Sequence, residues 1–187
     1  MLRMRDLLAL AAGAVVLAFA GAAQAAVTVL GGGMAHSCSQ AALAGESNPR
    51  FDALCTTALE TEILSVRDRS GTYVNRGVLK LRRKDFSGAR SDFDLAIQTK
   101  PDLGEAYVNR GAAYVGARRF ADGLNDLNKA LELGVEEPEK AYYNRALAYE
   151  GLAKLKAAYL DYQKAGELKP EWDAPKRELA RFTVERR

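Results

Sequence analysis

The chain has 187 residues, 27% of them charged and 48% hydrophobic, and its formal net charge at pH 7 is +3. A charge this close to zero does not favour nucleic-acid binding, which usually needs a strongly basic surface. The length is typical of one domain, and one histidine with two cysteines supplies few ligands for a metal site.

Residues 1–25 have the three parts of a signal peptide. Arg3 and Arg5 precede an uncharged apolar stretch over residues 7–23, and Ala23-Gln24-Ala25 provides a small-residue cleavage site. We predict export to the periplasm or secretion, with cleavage after Ala25 and no membrane insertion afterwards. The alternative is a retained anchor, although the stretch is shorter than the roughly 20 residues that span a bilayer.

Residues 26–34 follow as a short arm. Three consecutive glycines, at positions 31–33, favour flexibility because glycine has wide backbone freedom. We expect a loose arm between the leader and the folded domain.

Three segments then repeat a pattern of an aromatic residue, a variable residue, Asn, Arg and a small residue. They are Tyr73–Gly77, Tyr107–Gly111 and Tyr142–Ala146, so that successive small residues are 34 and 35 positions apart. Repeats of this period form solenoids, in which each unit buries its apolar face against its neighbours. Apolar and small residues recur at intervals of three and four, which predicts a pair of antiparallel helices in each unit.

With Phe86, Ala89, Phe93, Ala96 and Pro101, and with their counterparts one and two repeats later, the pattern resembles the tetratricopeptide repeat. The resemblance implies an all-α fold, a right-handed superhelical solenoid of antiparallel helix pairs. It places repeats at residues 70–103, 104–138 and 139–170. Residues 171–187, with apolar and basic positions interspersed, are predicted to form a C-terminal capping helix.

Residues 35–69 are predicted to be a degenerate first hairpin clasped by a disulfide. In the repeat frame, Cys38 and Cys55 fall at facing positions, and export would place both in an oxidising compartment. Closing a loop of this size stabilises a fold by about 3 kcal/mol. The alternative is two buried, unpaired thiols.

The resemblance also implies a binding surface, because the first helices of tetratricopeptide repeats line a concave groove that holds a peptide or a partner's helix. By position, the groove would be lined by Val74, Asn75, Val78, Leu81, Val108, Asn109, Val115, Lys140, Tyr143, Asn144 and Leu147. Regularly spaced amides suit the backbone of a bound segment. The alternative role of the asparagines is to satisfy neighbouring helix backbone.

Some members of the family grip a C-terminal carboxylate with Lys and Asn on successive first helices. Asn109 and Lys140 match that arrangement, whereas Val74 and Val78 stand where it needs polar donors. Arginines beside the asparagines are matched in phase by aspartates, which predicts the ion pairs Arg76–Asp92, Arg110–Asp126 and Arg145–Asp161.

Nothing in the sequence suggests catalysis, because no nucleophile with a base and no set of metal ligands is recognisable. We interpret His36 as a surface residue. We therefore expect a non-catalytic periplasmic adaptor without a cofactor that binds a protein or peptide. The alternatives are a self-associating structural module of the cell envelope and an accessory subunit of an envelope enzyme.

Overall fold

The computed structural model describes residues 2–4, 24–30 and 32–184, and of residues 2–4, 183 and 184 only the backbone. Nine helices follow one another in this part of the chain: α1 Met34–Leu43, α2 Arg50–Thr61, α3 Val66–Arg82, α4 Phe86–Thr99, α5 Gly104–Gly116, α6 Phe120–Leu133, α7 Pro138–Gly151, α8 Leu155–Leu168 and α9 Asp173–Leu179. Most of the predicted leader, residues 5–23, lies outside the described residues. No described helix combines the length and the apolar character needed to cross a bilayer.

The helices stack as consecutive antiparallel hairpins. Helices α1 and α2, α3 and α4, α5 and α6, and α7 and α8 pack pairwise, and each hairpin packs on the next. The first helices of successive hairpins, α1, α3, α5 and α7, also contact one another and form one face of the stack. This arrangement confirms the predicted helical solenoid.

Local sequence signals account for where these helices begin and turn. Ser65 accepts a hydrogen bond from the Asp68 amide at the start of α3, and Asp85 does the same for Gly88 in α4. Pro138 occupies the first turn of α7, where its missing amide proton does no harm. The turn inside each repeat uses a left-handed residue at the same place, at Lys84, Arg118 and Ala153.

The C-terminal end differs from the predicted capping helix over residues 171–187. Helix α9 ends at Leu179, and Phe182–Val184 forms a short strand, β2, that pairs antiparallel with strand β1, Leu2–Met4. An aromatic residue followed by two β-branched residues favours extended backbone over a further helical turn. The cap is therefore one short helix with a two-stranded ladder beside it.

Small residues set the distance between helices. A Cβ atom on Gly77 would lie 2.4 Å from Cε1 of Phe93, which is fully buried between α3 and α4. Between repeats, a Cβ on Gly116 would lie 2.4 Å from the Phe86 ring, and one on Gly151 would lie 2.5 Å from the Phe120 ring. Glycine at these positions therefore lets an aromatic ring of one helix rest directly on the backbone of the next.

All three predicted ion pairs are present. Arg76 reaches Asp92 at 2.6 Å, and Arg110 and Arg145 reach Asp126 and Asp161 at 2.7 Å. Each guanidinium also bonds to the second helix of the preceding hairpin, through Thr56, Asp94 and Asn128 in turn. One arginine per repeat thus ties three helices together.

The predicted pairing of Cys38 with Cys55 is present as well. The disulfide joins α1 to α2 across a Cα–Cα distance of 5.1 Å, and both cysteines are fully buried. Ala41, Leu79 and Phe51 pack against it. The bond therefore closes the first hairpin at its contact with α3.

We expect Gly77→Ala to lower the free energy of unfolding by about 1–2 kcal/mol, because the clash with Phe93 outweighs the better helix propensity of alanine. Urea denaturation measures it. Gly32→Ala is the matched control, since no atom lies within 4 Å of a Cβ at Gly32. Equal midpoints for the two variants would contradict this account of the packing.

Replacing both Cys38 and Cys55 by alanine should lower the free energy of unfolding by about 3 kcal/mol, because the bond closes a loop with a sequence separation of 17. Unfolding of the wild type with and without reductant provides the control, and the reduced wild type should match the double variant. Two free thiols in unreduced, denatured protein would contradict the pairing.

Candidate peptide-binding groove

The face formed by the first helices is already occupied by another part of the same chain. Residues 24–30, which we call the inserted segment, lie extended along this face, and we call the face the groove. Our expectation of a loose arm over residues 26–34 therefore fails for residues 26–30. The physical reason is that the segment offers unpaired backbone groups and alternating apolar side chains, and the groove accommodates both.

Two asparagines hold the backbone of the inserted segment. The Asn75 side chain donates to the Val27 carbonyl at 2.8 Å and accepts from the Val27 amide at 2.9 Å. Asn109 does the same with Ala25, at 3.0 Å and 3.2 Å. Each side-chain amide thus pairs with both backbone groups of one residue, as a neighbouring strand would.

The spacing of these pairs matches the repeat. Asn75 and Asn109 are equivalent positions of adjacent repeats, and their partners are two residues apart on the inserted segment. A two-residue step of extended chain is roughly 6.6 Å and brings the next side chain of the same orientation into register. One repeat of the solenoid therefore matches one two-residue period of an extended polypeptide.

Asn109 binds the inserted segment and also satisfies the backbone of its own helix, which are the two roles considered for the asparagines. Its Nδ2 donates to the Glu105 carbonyl of its own helix at 2.9 Å in addition to the Ala25 carbonyl. Asn144, the equivalent residue of the third repeat, is fully buried in α7.

Polar groups mark the two ends of the inserted segment. At the amino-terminal end, Lys140 Nζ of the third repeat donates to the Gln24 carbonyl at 2.9 Å, and Arg82, the last residue of α3, donates to the Gln24 side chain. At the first hairpin, the Ser39 hydroxyl donates to the Val27 carbonyl at 2.9 Å and accepts from the Val29 amide at 3.2 Å. The segment therefore runs from the third repeat back towards the first hairpin, opposite to the order of the repeats.

His36, Ser39 and Arg82 contact the segment but are not among the residues predicted to line the groove. Nδ1 of His36 is 2.9 Å from the Val29 carbonyl, so the residue that we interpreted as a surface histidine is half-buried against the segment. His36 and Ser39 lie in the degenerate hairpin, where repeat positions are hard to transfer. Burial lowers the pKa of Arg82, and the nearby Glu46 carboxylate opposes that change.

The side chains of the inserted segment alternate between buried and exposed. Ala25 is 4% and Val29 2% exposed, whereas Thr28 and Leu30 face outwards. The alternation is that of a strand with one buried face. This pattern of Ala25, Val27 and Val29 is the sequence signal from which an extended, half-buried conformation of the segment could have been suspected.

The predicted apolar residues of the groove are all buried, but not all by the inserted segment. Val74 and Val78 belong to the cluster against which Ala26 and Val27 pack. The others lie mainly between helices: Val108 clusters with Ala130 and Ala141, and Val115, Tyr143 and Leu147 belong to the cluster around Tyr162.

The C-terminal end of the groove is covered by the cap. The ring of Tyr143 lies 4.8 Å from that of Trp172, the residue before α9, and 5.5 Å from that of Tyr162. Burial, with the carboxylates of Glu178 and Glu150, raises the pKa of Tyr143 well above its ordinary value. Glu150 itself is held by Arg181 at 2.5 Å and by the Tyr162 hydroxyl at 3.0 Å. Tyr143 therefore serves the packing of the cap.

Among the described residues, no three His, Cys, Asp or Glu side chains stand close enough together to hold a metal ion. The polar groups that face the segment are amides, a hydroxyl, an imidazole and two cations. This set is suited to holding a polypeptide backbone.

Comparison with known proteins agrees with this architecture. A tetratricopeptide-repeat family profile matches residues 139–171. No curated protein matches the sequence. The profile match covers one hairpin, and the stacking of the described hairpins fits a helical solenoid of tetratricopeptide-repeat type.

Solved structures support the same class. The first such domain of human RPAP3, determined by NMR, is 26% identical, with 59% of this chain and 87% of that chain covered and a TM-score of 0.56. The corresponding domain of Arabidopsis OM64 is 26% identical, with 63% and 96% covered and a TM-score of 0.59. The first such repeat domain of Spaghetti (RPAP3), bound to the HSP90 peptide SRMEEVD, is 26% identical, with 59% and 87% covered and a TM-score of 0.55.

We expect Asn75→Ala to speed hydrogen exchange at the Val27 amide roughly tenfold or more, because two hydrogen bonds worth about 1 kcal/mol each are lost. Exchange measured by NMR on the full chain tests this. Asn128→Ala is the matched control, since Asn128 bonds to Arg145 rather than to the inserted segment. Unchanged exchange at Val27 in the Asn75 variant would contradict the observed pairing.

Proposed function

We propose that this protein is a non-catalytic adaptor that binds an extended segment of a partner polypeptide in the groove. The observation that carries the proposal is the double pairing of Asn75 and Asn109 with backbone amides and carbonyls. Every polypeptide offers these groups when it is extended. The inserted segment supports the proposal because it provides an example of a chain held in this way.

The peptide-bound neighbour, the first such domain of Spaghetti (RPAP3), supports the same kind of function, since that domain binds a peptide. That peptide, SRMEEVD, is acidic. In this chain the corresponding groove has Val74 and Val78, both fully buried, where a carboxylate-binding site needs polar donors. The partner of this protein is therefore expected to differ from such acidic tails.

A partner segment has to compete with the inserted segment. A short tether gives the inserted segment an effective concentration in the millimolar range at its own groove. The two ligands use the same amides, so their binding is mutually exclusive. Binding of the partner thus requires either a higher intrinsic affinity or a change that releases the inserted segment.

We also propose that the protein is exported to the periplasm or secreted. The arginine-led apolar leader and its small-residue cleavage site support this location. The buried disulfide between Cys38 and Cys55 supports it independently, because such bonds persist in oxidising compartments and are rare in the cytosol.

Self-association is the second candidate, and the position of the inserted segment favours it. The segment joins α1 through a glycine-rich link in which Gly33 has a φ of 113°. The same contacts would form if the segment entered the groove of a neighbouring copy. Light scattering across a concentration series separates a monomer from such an exchanged dimer.

The adaptor function can be tested on the full chain with its inserted segment weakened by Val27→Asp and Val29→Asp. The probe is a mixed library of fluorescent heptapeptides, and its control is the same library with alternate backbone nitrogens methylated. We expect saturable binding of the unmethylated library and loss of most of it on methylation, because methylation removes the donors that the asparagines accept from.

Adding Asn75→Ala and Asn109→Ala should weaken this binding at least tenfold, whereas adding Asn128→Ala should leave it unchanged. Circular dichroism establishes that each variant keeps its helices. No binding by any member of the library, or binding that ignores the groove asparagines, would overturn the adaptor proposal.

A further inference from the structure

We propose that the groove selects segments by direction and side-chain pattern, so that its partner segment resembles Ala-x-Val-x-Val with its amino-terminal end at the third repeat. This inference rests on the proposed function and adds the chemical class of the ligand. The selectivity depends on the sites that enclose the side chains of Val27 and Val29, which we call subsites, and on the contacts of Ser39 and Lys140 at the two ends. Binding of the main chain alone depends on Asn75 and Asn109.

The first step concerns which side chains of a bound segment are enclosed. Ala25 and Val29 are almost fully buried, Val27 is half-buried, and Thr28 and Leu30 point outwards. Residues at alternate positions therefore determine most of the fit. Ala26 is also half-buried, against the cluster of Val74 and Val78, so a small residue suits its position, whereas the exposed position of Thr28 is free to vary.

The second step concerns the size of the subsites. A Cβ atom on Gly71 would lie 2.9 Å from Cγ1 of Val27 and 3.5 Å from Cγ2 of Val29, so Gly71 makes room for the valine at position 27. Val29 is enclosed by Ala35 and Ala58, with Met34 and Leu64 beside them. These dimensions suit small or β-branched side chains and leave little space for aromatic ones.

The third step concerns charge. Apolar side chains enclose Val29, and Val27 packs against the cluster of Val74 and Val78, whereas Lys140 and Arg82 both act at Gln24. A carboxylate at the position of Val27 or Val29 would lose hydration among these apolar side chains, which is costly. The subsites of Val27 and Val29 therefore disfavour acidic segments.

The fourth step concerns direction. A side-chain amide can pair with the amide and carbonyl of one residue in either chain direction after rotation, so the asparagines alone do not orient a segment. Ser39 and Lys140 do orient it. Ser39 bridges the carbonyl of one residue and the amide of the residue two positions later, and Lys140 binds a carbonyl before the first buried residue. Reversing the chain misplaces these groups.

The experiment uses the full chain carrying Val27→Asp and Val29→Asp, and fluorescence anisotropy with four capped heptapeptides. They are the sequence of residues 24–30, QAAVTVL; its reversal, LVTVAAQ; a version with aspartate at both valine positions; and SRMEEVD. We expect the first peptide to bind at least tenfold more tightly than each of the other three.

Two test substitutions, Gly71→Leu and Ser39→Ala, and one control substitution, Gly32→Leu, locate the selectivity in the receptor. Gly71→Leu should weaken QAAVTVL at least tenfold, whereas Gly32→Leu, at a position with open space around it, should leave its affinity unchanged. Ser39→Ala should reduce the preference for QAAVTVL over its reversal. Because this substitution is small and preserves the fold, it keeps the inference testable if Gly71→Leu unfolds the protein.

The results distinguish the failure of this inference from that of the adaptor function. Equal binding of QAAVTVL, its reversal and the aspartate version, with dependence on Asn75 retained, would overturn the selectivity and leave the adaptor function intact. Binding of none of the four peptides, together with none of the mixed heptapeptide library, would overturn both.

Discussion

The rest of the structure depends on the bonds by which one arginine in each repeat joins its own helix to two neighbouring helices. Arg110 holds Asp126 of its own hairpin and Asp94 of the preceding one, and the carboxylate partners raise its pKa against the opposing effect of burial. It also lies over the ring of Tyr107 at 5.5 Å. Because three helices meet at one planar, multidentate cation, their register and rotation are fixed together. Asn109, the residue before it, is thereby directed into the groove.

Repeating that constraint builds a surface whose period suits an extended chain. Asn75 and Asn109 are held one repeat apart, and the residues that they bind are two positions apart. Side-chain amides that replace a neighbouring strand hold any backbone, so selectivity has to come from the pockets beside them. The pocket next to Gly71 and the polar ends at Ser39 and Lys140 provide that selectivity without weakening the main-chain contacts.

The sequence was sufficient to predict what recurs in it. The hairpins, the Arg–Asp pairs and the clasp between Cys38 and Cys55 all follow from positions that repeat or align. The inserted segment could not be placed in this way, because Ala25 and Asn109 are far apart in the chain and nothing local links them. The roles of Tyr143 and Leu147 were likewise hidden, since they depend on how the C-terminal cap folds back over α7 and α8.

The position of Ala25 has a consequence for the proposed removal of the leader. Both its backbone amide and its carbonyl are hydrogen-bonded to Asn109. A protease that binds its substrate as an added strand needs the same two groups. Removal of a leader after Ala25 would therefore have to happen before the solenoid closes over it. Cleavage would also remove Gln24 and Ala25, so Asn109, Lys140 and Arg82 would lose the residues of the inserted segment that they bind. The exported protein would then have an unoccupied groove at the positions that hold Gln24 and Ala25 in this structure.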